Sequence, residues 1–109
     1  MRNEIPVATS STPIEMMEPL RLSFLAAVKR IDRLRQEVFS CDGQTLIAQA
    51  DTNIDRLAES FKARGYAPVG DVMALVKFAG HMDNYVREPD SSHLSLAQVE
   101  LGSGLMAAA

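Results

Sequence analysis

The chain has 109 residues and a mass of 11.9 kDa, with 47% hydrophobic residues, 23% charged residues and a formal net charge of −3. This length allows one domain with one hydrophobic core, and the mixture of apolar and charged residues excludes a wholly disordered chain. The acidic balance argues against direct nucleic-acid binding, which needs a concentrated positive face.

Residues 1–12 have no periodic apolar pattern and are predicted to form a flexible arm. Glu4 stands where a secretion signal would carry basic residues, and no apolar core follows it. No stretch of the chain reaches the roughly 18 consecutive apolar residues of a membrane span. The single cysteine cannot form an internal disulfide, which suits a reducing compartment. We therefore expect a cytoplasmic protein with no membrane partner.

The helical domain is predicted over residues 13–89, and its first main helix over residues 19–41. A proline inside a helix removes a backbone donor and clashes with the preceding turn, so Pro19 is expected near the start of this helix. The following apolar residues alternate in steps of four and three, which places them on one packed helix face. They are Leu20, Phe24, Ala27, Ile31, Leu34, Val38 and Cys41.

Two further helices are predicted over residues 43–64 and 71–87. Gly65 ends the second, and Asp71 is a suitable N-cap for the third. Their inner faces are predicted to contain Ile47, Ala50, Ile54, Leu57 and Phe61, then Val72, Leu75, Ala79, Met82 and Val86. Short connections favour an all-α, antiparallel three-helix arrangement. Residues 90–109 form a tail whose apolar positions, Leu94 to Leu101, fit a short helix or an extended segment equally well.

The first and third helices carry more apolar surface than three helices can bury, with apolar arcs of roughly 200° and 180° against the about 120° that two neighbours cover. This surplus predicts a partner, either a second copy in a homodimer or another protein. The predicted partner-binding residues are Leu22, Leu25, Phe39, Met73, Phe78, Met82 and Tyr85. Alternatively, the Leu94–Leu101 segment folds back over the same surface. Arg35 and Asp83 lie within the apolar arcs, where they reach the rim or form an ion pair.

The residue pattern predicts no catalytic, cofactor-binding or metal site. His81 and Asp83 point about 200° apart on a helix and cannot share a ligand, and His93 lies in the tail. Cys41 is expected to pack as a small apolar residue. Glycine-rich phosphate loops and paired cysteines are missing. We therefore expect a protein that is not an enzyme.

From Met16-Met17-Glu18-Pro19 through Cys41 to the Met- and aromatic-rich third helix, the chain resembles small bacterial quorum-sensing anti-activators of LuxR-type receptors. The resemblance covers length, acidity and helical layout, without a diagnostic short motif. It implies a helical dimer that binds a LuxR-type transcriptional regulator, covers the surface through which that receptor dimerises and so lowers its DNA affinity. The alternative function is a chaperone-like or structural helical subunit that shields an amphipathic segment of another protein.

Overall fold

A computed structural model describes the backbone of residues 4–108 and the side chains of residues 18–102. The described chain consists of four helices: α1 (Glu4–Glu37), α2 (Cys41–Arg64), α3 (Val69–Arg87) and α4 (Ser91–Ala108). The all-α class is therefore confirmed. The number of helices differs from the predicted three, because most of the tail at residues 90–109 forms α4.

Helix α1 is longer than the sequence predicts. It begins at Glu4, so residues 4–12, which were expected to form a flexible arm, are helical, and Pro19 lies inside the helix. Residues 1–3 of the predicted arm lie outside the described residues. The 34 residues of α1 span about 51 Å, against about 36 Å for the 24 residues of α2. The sequence predicted that this helix begins at residue 19, because a proline in the helix interior lacks a backbone donor and was expected to end the helix there.

The boundaries of α2 and α3 are close to the predicted ones. Helix α2 ends at Gly65, whose φ of 83° is left-handed and whose N–H donates to the Phe61 carbonyl over 2.8 Å. Glycine adopts this backbone conformation without steric cost, as is common at helix C-termini. Helix α3 begins at Val69, so Asp71 lies in its first turn, and Pro68 occupies the N-cap position predicted for Asp71.

Helix α4 begins at a capped N-terminus. The Ser92 backbone N–H donates to Oδ1 of Asp90 over 2.8 Å, and the His93 N–H donates to the Asp90 carbonyl over 3.0 Å. The backbone hydrogen bond from Ser92, together with that residue's hydroxyl, lowers the pKa of the Asp90 carboxyl. An aspartate at the N-cap satisfies a helix donor that has no partner within the helix. The chain thus turns sharply after Pro89 and starts a new helix.

Helix α3 occupies the centre of the arrangement and contacts each of the other helices. Helix α2 also contacts all three, whereas α1 and α4 do not contact each other within the described residues. Arg30 of α1 and Glu100 of α4 line the same open region as Lys77, Gly80 and Asn84 of α3, so this outward face of α3 lies between the two helices. This gap forms a concave part of the surface.

The core forms where the inner faces of the four helices meet. Its buried apolar residues include Phe24, Ala27, Ile31, Leu34, Val38, Leu46, Ile47, Ala50, Leu57, Val72, Leu75, Phe78, Ala79, Met82, Ala97 and Leu101. Phe24 of α1 and Phe61 of α2 pack in a tilted arrangement, with ring centroids 5.2 Å apart and an interplanar angle of 36°. The three predicted inner faces are confirmed, except that Cys41 is exposed at the start of α2. Among the described side chains, no polar or charged residue is buried.

Phe78 and Met82 require a correction. Both were predicted to contact a partner, and both have no exposed surface in the single chain. The reason is α4, which packs along α3 and contributes Ala97 and Leu101 to the same core. The alternative in which Leu94–Leu101 covers this side of the third helix is therefore the one that the structure adopts.

Replacement of Phe78 by Ala is expected to destabilise the fold. The change removes a large, fully buried side chain and leaves a cavity, which costs about 3–5 kcal/mol of the free energy of unfolding. Met73→Ala is the matched control, because Met73 lies on the same helix and is 40% exposed. Urea unfolding followed by circular dichroism measures both. Equal unfolding midpoints for the two variants would contradict the core position of Phe78.

Candidate functional site

Four of the seven predicted partner-binding residues remain exposed. Leu22 is 55% exposed, Leu25 44%, Phe39 89% and Met73 40%. Tyr85 is half-buried, and its hydroxyl donates to Oγ of Ser40 over 2.9 Å. The structure does not bring the exposed four into one patch: Leu22 and Leu25 lie on α1, Phe39 in the α1–α2 turn and Met73 on α3.

Leu22 and Leu25 lie on the face of α1 that points away from the core. Helix residues rotate by about 100° per position, which sets these two leucines roughly opposite Ile31 and Leu34. Ile31 and Leu34 have no exposed surface. The leucines of the outer face therefore take no part in the chain's own core.

Phe39 projects from a turn that is held by several hydrogen bonds. The side chain of Gln44 donates from Nε2 to the carbonyls of Arg35 and Val38, which satisfies the end of α1. The Gly43 N–H donates to Oγ of Ser40 over 3.1 Å, so Ser40 is the N-cap of α2. A fixed turn presents the exposed aromatic ring at little entropic cost, as suits an anchor for a partner.

Gly43 is needed for this turn because of close packing. A Cβ atom at this position would overlap the Val38 side chain and lie 2.9 Å from Oγ of Ser40. The side chain of Tyr85 is 3.7 Å away on the third side. Glycine thus allows the start of α2 to approach the end of α1 and the C-terminal half of α3.

A shallow groove runs over the outward face of α3. Next to α1 it forms a cavity of about 180 Å³, which is lined by Ser23, Ala26, Ala27, Arg30, Val76 and Ala79. Towards α4 it continues into an open region lined by Arg30, Lys77, Gly80, His81, Asn84 and Glu100. We call the whole feature the α3 groove. Its first part is apolar and built from small side chains, and its second part is polar.

An ion-pair cluster fixes α1 against α3 beside the α3 groove. Asp83 accepts hydrogen bonds from Arg30, with its Nε at 3.1 Å, and from Nη2 of Arg33 at 2.9 Å. Partial burial raises the pKa of the Asp83 carboxyl, but the hydrogen bonds from Arg30 and the charges of Arg30, Arg33 and Arg87 outweigh it, so the pKa is lowered overall. Asp83 is therefore a charged anchor point for two arginines of α1.

Arg35 makes the corresponding link between α1 and α2. Its guanidinium donates to both carboxylate oxygens of Asp51, over 2.7 and 2.9 Å, and to Asp32 over 3.1 Å. The hydrogen bonds to Asp51 and then to Asp32 raise the pKa of Arg35. Arg35 and Asp83, the two charges within the predicted apolar arcs, thus pair with separate neighbours.

Cys41 is exposed at the start of α2, and the two histidines lie near carboxylates of the α3–α4 hairpin. His81 lies 3.5 Å from Glu100 of α4, and His93 lies 3.1 Å from Glu88, so each imidazole faces one carboxylate across the α3–α4 hairpin. Within the described part of the chain, no three His, Cys, Asp or Glu side chains converge on a common point that could hold a metal ion. None of the described helices is long and apolar enough to span a bilayer.

Sequence reasoning missed two parts of this surface. The α3 groove depends on small residues, such as Ala26 and Gly80, which carry no distinctive pattern. Leu96 and Val99, 49% and 63% exposed, lie on the outward face of α4 and were assigned only to the ambiguous tail. The Asp90 N-cap after Pro89 is the sequence feature that could have identified α4 as a helix.

The fold and the groove define the chain as a small all-α helical bundle with an open, partly apolar surface groove. No family model matches the chain, and neither a curated protein nor a solved structure is significantly similar to it.

Replacement of Asp83 by Asn is expected to lower the free energy of unfolding at pH 7 by about 1–2 kcal/mol, because charge-assisted hydrogen bonds to two arginines are lost. The folded-state pKa of Asp83 lies below its ordinary 3.8. Its stabilising contribution is therefore present above that pH and is lost as the pH falls through the folded-state pKa. Urea unfolding of wild type and variant at a series of pH values measures the difference, which should vanish in acid.

The control is Asp55→Asn, which makes the same charge change at an exposed position on α2. This variant should unfold close to the wild-type urea concentration at every pH. If Asp83→Asn behaves in the same way, the ion pairs of Asp83 do not stabilise the fold.

Proposed function

We propose that this chain is a protein-binding regulator that holds an amphipathic helix of its target in the α3 groove. The observation that carries the proposal is that α1 and α4 pack along two flanks of α3 without contacting each other within the described residues, so part of α3 stays open between them. This open part is the α3 groove, whose apolar wall next to α1 includes the half-buried Val76 and the exposed Ala26.

A helix is the kind of ligand that fits this groove. Its floor is the outward face of α3, with α1 on one side and α4 on the other. Small residues at Ala26 and Gly80 allow a close approach, and amphipathic helices commonly bind in grooves between helices. Met73 lies on α3 about one turn before Val76, where it can adapt its shape to an apolar side chain of the target.

The polar part of the groove suits the flank of such a helix. Arg30, Lys77 and His81 offer donors, and Glu100 offers an acceptor, within the region that continues from the apolar cavity. A polar rim around an apolar centre is typical of protein interfaces and contributes more to specificity than to affinity.

The target that we propose is a LuxR-type transcriptional regulator in the cytoplasm. This part rests on the resemblance to quorum-sensing anti-activators in length, acidity and helical layout. Such receptors bind DNA as dimers, so a protein that covers their dimerisation surface lowers their DNA affinity. Direct DNA binding by the chain is a poor alternative, because its net charge is −3 and Arg30, Arg33 and Arg35 are paired with carboxylates.

Gly80→Leu is expected to weaken target binding by about tenfold or more, equivalent to about 1.4 kcal/mol or more. A Cβ at Gly80 meets no atom within 4 Å, so the added side chain extends into the groove without disturbing the core. Gly70→Leu is the matched control, because it makes the same change on α3, also in open space but outside the groove lining. The measurement is DNA binding by a LuxR-type receptor from the host, titrated with the chain.

Wild type and Gly70→Leu should reduce receptor DNA binding at similar concentrations, and Gly80→Leu should need a higher one. Equal inhibition by all three proteins would remove the groove from the mechanism. If wild type leaves every LuxR-type receptor of the host bound to DNA, the receptor is not the target.

A further inference from the structure

The outer face of α1 carries a short repeating pattern that the groove does not use. Glu18, Leu22, Leu25 and Lys29 follow one another in steps of four, three and four residues. At about 100° per residue they fall within an arc of about 60°, so they form one straight row along the helix. All four are exposed. We call this row the α1 outer stripe.

The α1 outer stripe is complementary to itself when two copies run antiparallel. A two-fold axis between Leu22 and Leu25 sets Leu22 of one copy opposite Leu25 of the other. The same axis sets Glu18 of each copy opposite Lys29 of its partner. A parallel arrangement would oppose Glu18 with Glu18 and Lys29 with Lys29, which is repulsive. The order of charges along the stripe therefore selects one orientation.

We propose that a second copy of this chain docks on the α1 outer stripe, so that the two α1 helices pack antiparallel around a two-fold axis. The contact is isologous and closes on itself as a dimer, because the same four residues serve both copies. The leucines supply the apolar centre, and the two symmetry-related Glu18–Lys29 pairs fix the register.

In the part of the chain that the structure describes, no other helix covers this stripe. Helix α4 packs along α3 and does not contact α1 within the described residues. Leu22 and Leu25 stay about half exposed, at 55% and 44%. Contact between two copies would remove the side chains of Leu22 and Leu25 from water. This burial of apolar surface favours the dimer, as the burial of Phe78 favours the fold of the single chain.

Glu18 is available as a charged acceptor for the partner. It already forms an ion pair with Arg21 on the next turn, with Nη2 of Arg21 and Oε2 of Glu18 2.8 Å apart. The hydrogen bonds and the charge of Arg21 lower the pKa of Glu18, so its carboxylate is ionised at neutral pH. A carboxylate has about four acceptor sites, which leaves room for Lys29 of a second copy.

The contact is short, and its strength follows from its size. Eleven residues separate Glu18 from Lys29, a rise of about 16 Å. Interfaces of this extent are below the standard size of stable complexes, so the dimer should form in the micromolar range or weaker. The α1 outer stripe shares no residue with the lining of the α3 groove, so the dimer proposal and the target-binding proposal can fail independently.

Charge reversal tests the register directly. Analytical ultracentrifugation over a concentration series should give wild type a mass approaching twice the 11.9 kDa of the chain. Glu18→Lys or Lys29→Glu alone opposes like charges at both symmetry-related pairs and should weaken dimerisation by roughly tenfold. The double variant E18K/K29E restores opposite charges and should return the dissociation constant close to the wild-type value. Circular dichroism confirms that each variant is folded.

Cysteine cross-linking tests the orientation. In a Cys41→Ser background, a mixture of the Glu18→Cys and Lys29→Cys chains should form a disulfide between the two chains, because positions 18 and 29 face each other. Glu18→Cys alone should not cross-link, since its two copies stand about 16 Å apart along the axis.

Three results would overturn the proposal. They are a wild-type mass that stays at 11.9 kDa up to millimolar concentration, single and double charge variants that dimerise equally, and cross-linking of Glu18→Cys with itself. Gly80→Leu should dimerise like wild type. A variant that loses target binding but still dimerises would therefore have a defect in the α3 groove. A variant that loses dimerisation but still binds the target would have a defect in the α1 outer stripe.

Discussion

The structure depends on the burial of α3. This helix carries apolar side chains over about half of its circumference, from Val72 and Ala79 on one flank to Phe78 on the other. Two neighbours cover only about a third of a helix surface. Helix α4 supplies the third neighbour and removes Phe78 and Met82 from water. Burial of each large apolar side chain contributes about 1.5–3 kcal/mol. The contact with α3 therefore stabilises α4, although the apolar residues of α4 are not confined to one face.

The same packing decides which surfaces stay open. Because α4 takes one flank of α3 and α1 the other, the outward face of α3 becomes the floor of a groove. Asp83 holds Arg30 and Arg33 beside that groove, and Asp51 holds Arg35 on the opposite flank of α1. These ion pairs tie α1 to both of its neighbours and leave Leu22 and Leu25 pointing outward. Arg30, Arg33 and Arg35 thus all serve contacts between helices.

The agreement between sequence and structure is closest on the inner faces. Ile31, Leu34 and Val72 were placed there from spacing alone, and all are buried. The end of α2 at Gly65 was also predicted, because a left-handed C-cap has a strong residue preference. Cys41 was misplaced because α1 ends four residues earlier, at Glu37, where Gln44 and Ser40 supply the missing hydrogen bonds. These hydrogen bonds come from polar side chains, which the spacing of apolar residues does not include.

The sequence by itself determined the helical class, the ends of α2 and α3 and the inward side of the first three helices. These properties depend on spacing and on residue preferences within a few turns, which a single chain displays directly. The tertiary structure decided which apolar flank is covered. Leu25 and Phe78 were indistinguishable as surplus apolar residues, yet one is exposed and the other fully buried. The difference comes from where α4 packs, and α4 is apolar on both its inward face, with Leu101, and its outward face, with Val99. Because its apolar residues are not confined to one face, the sequence of α4 does not show which face packs against another helix. Only the contacts between distant segments decide that.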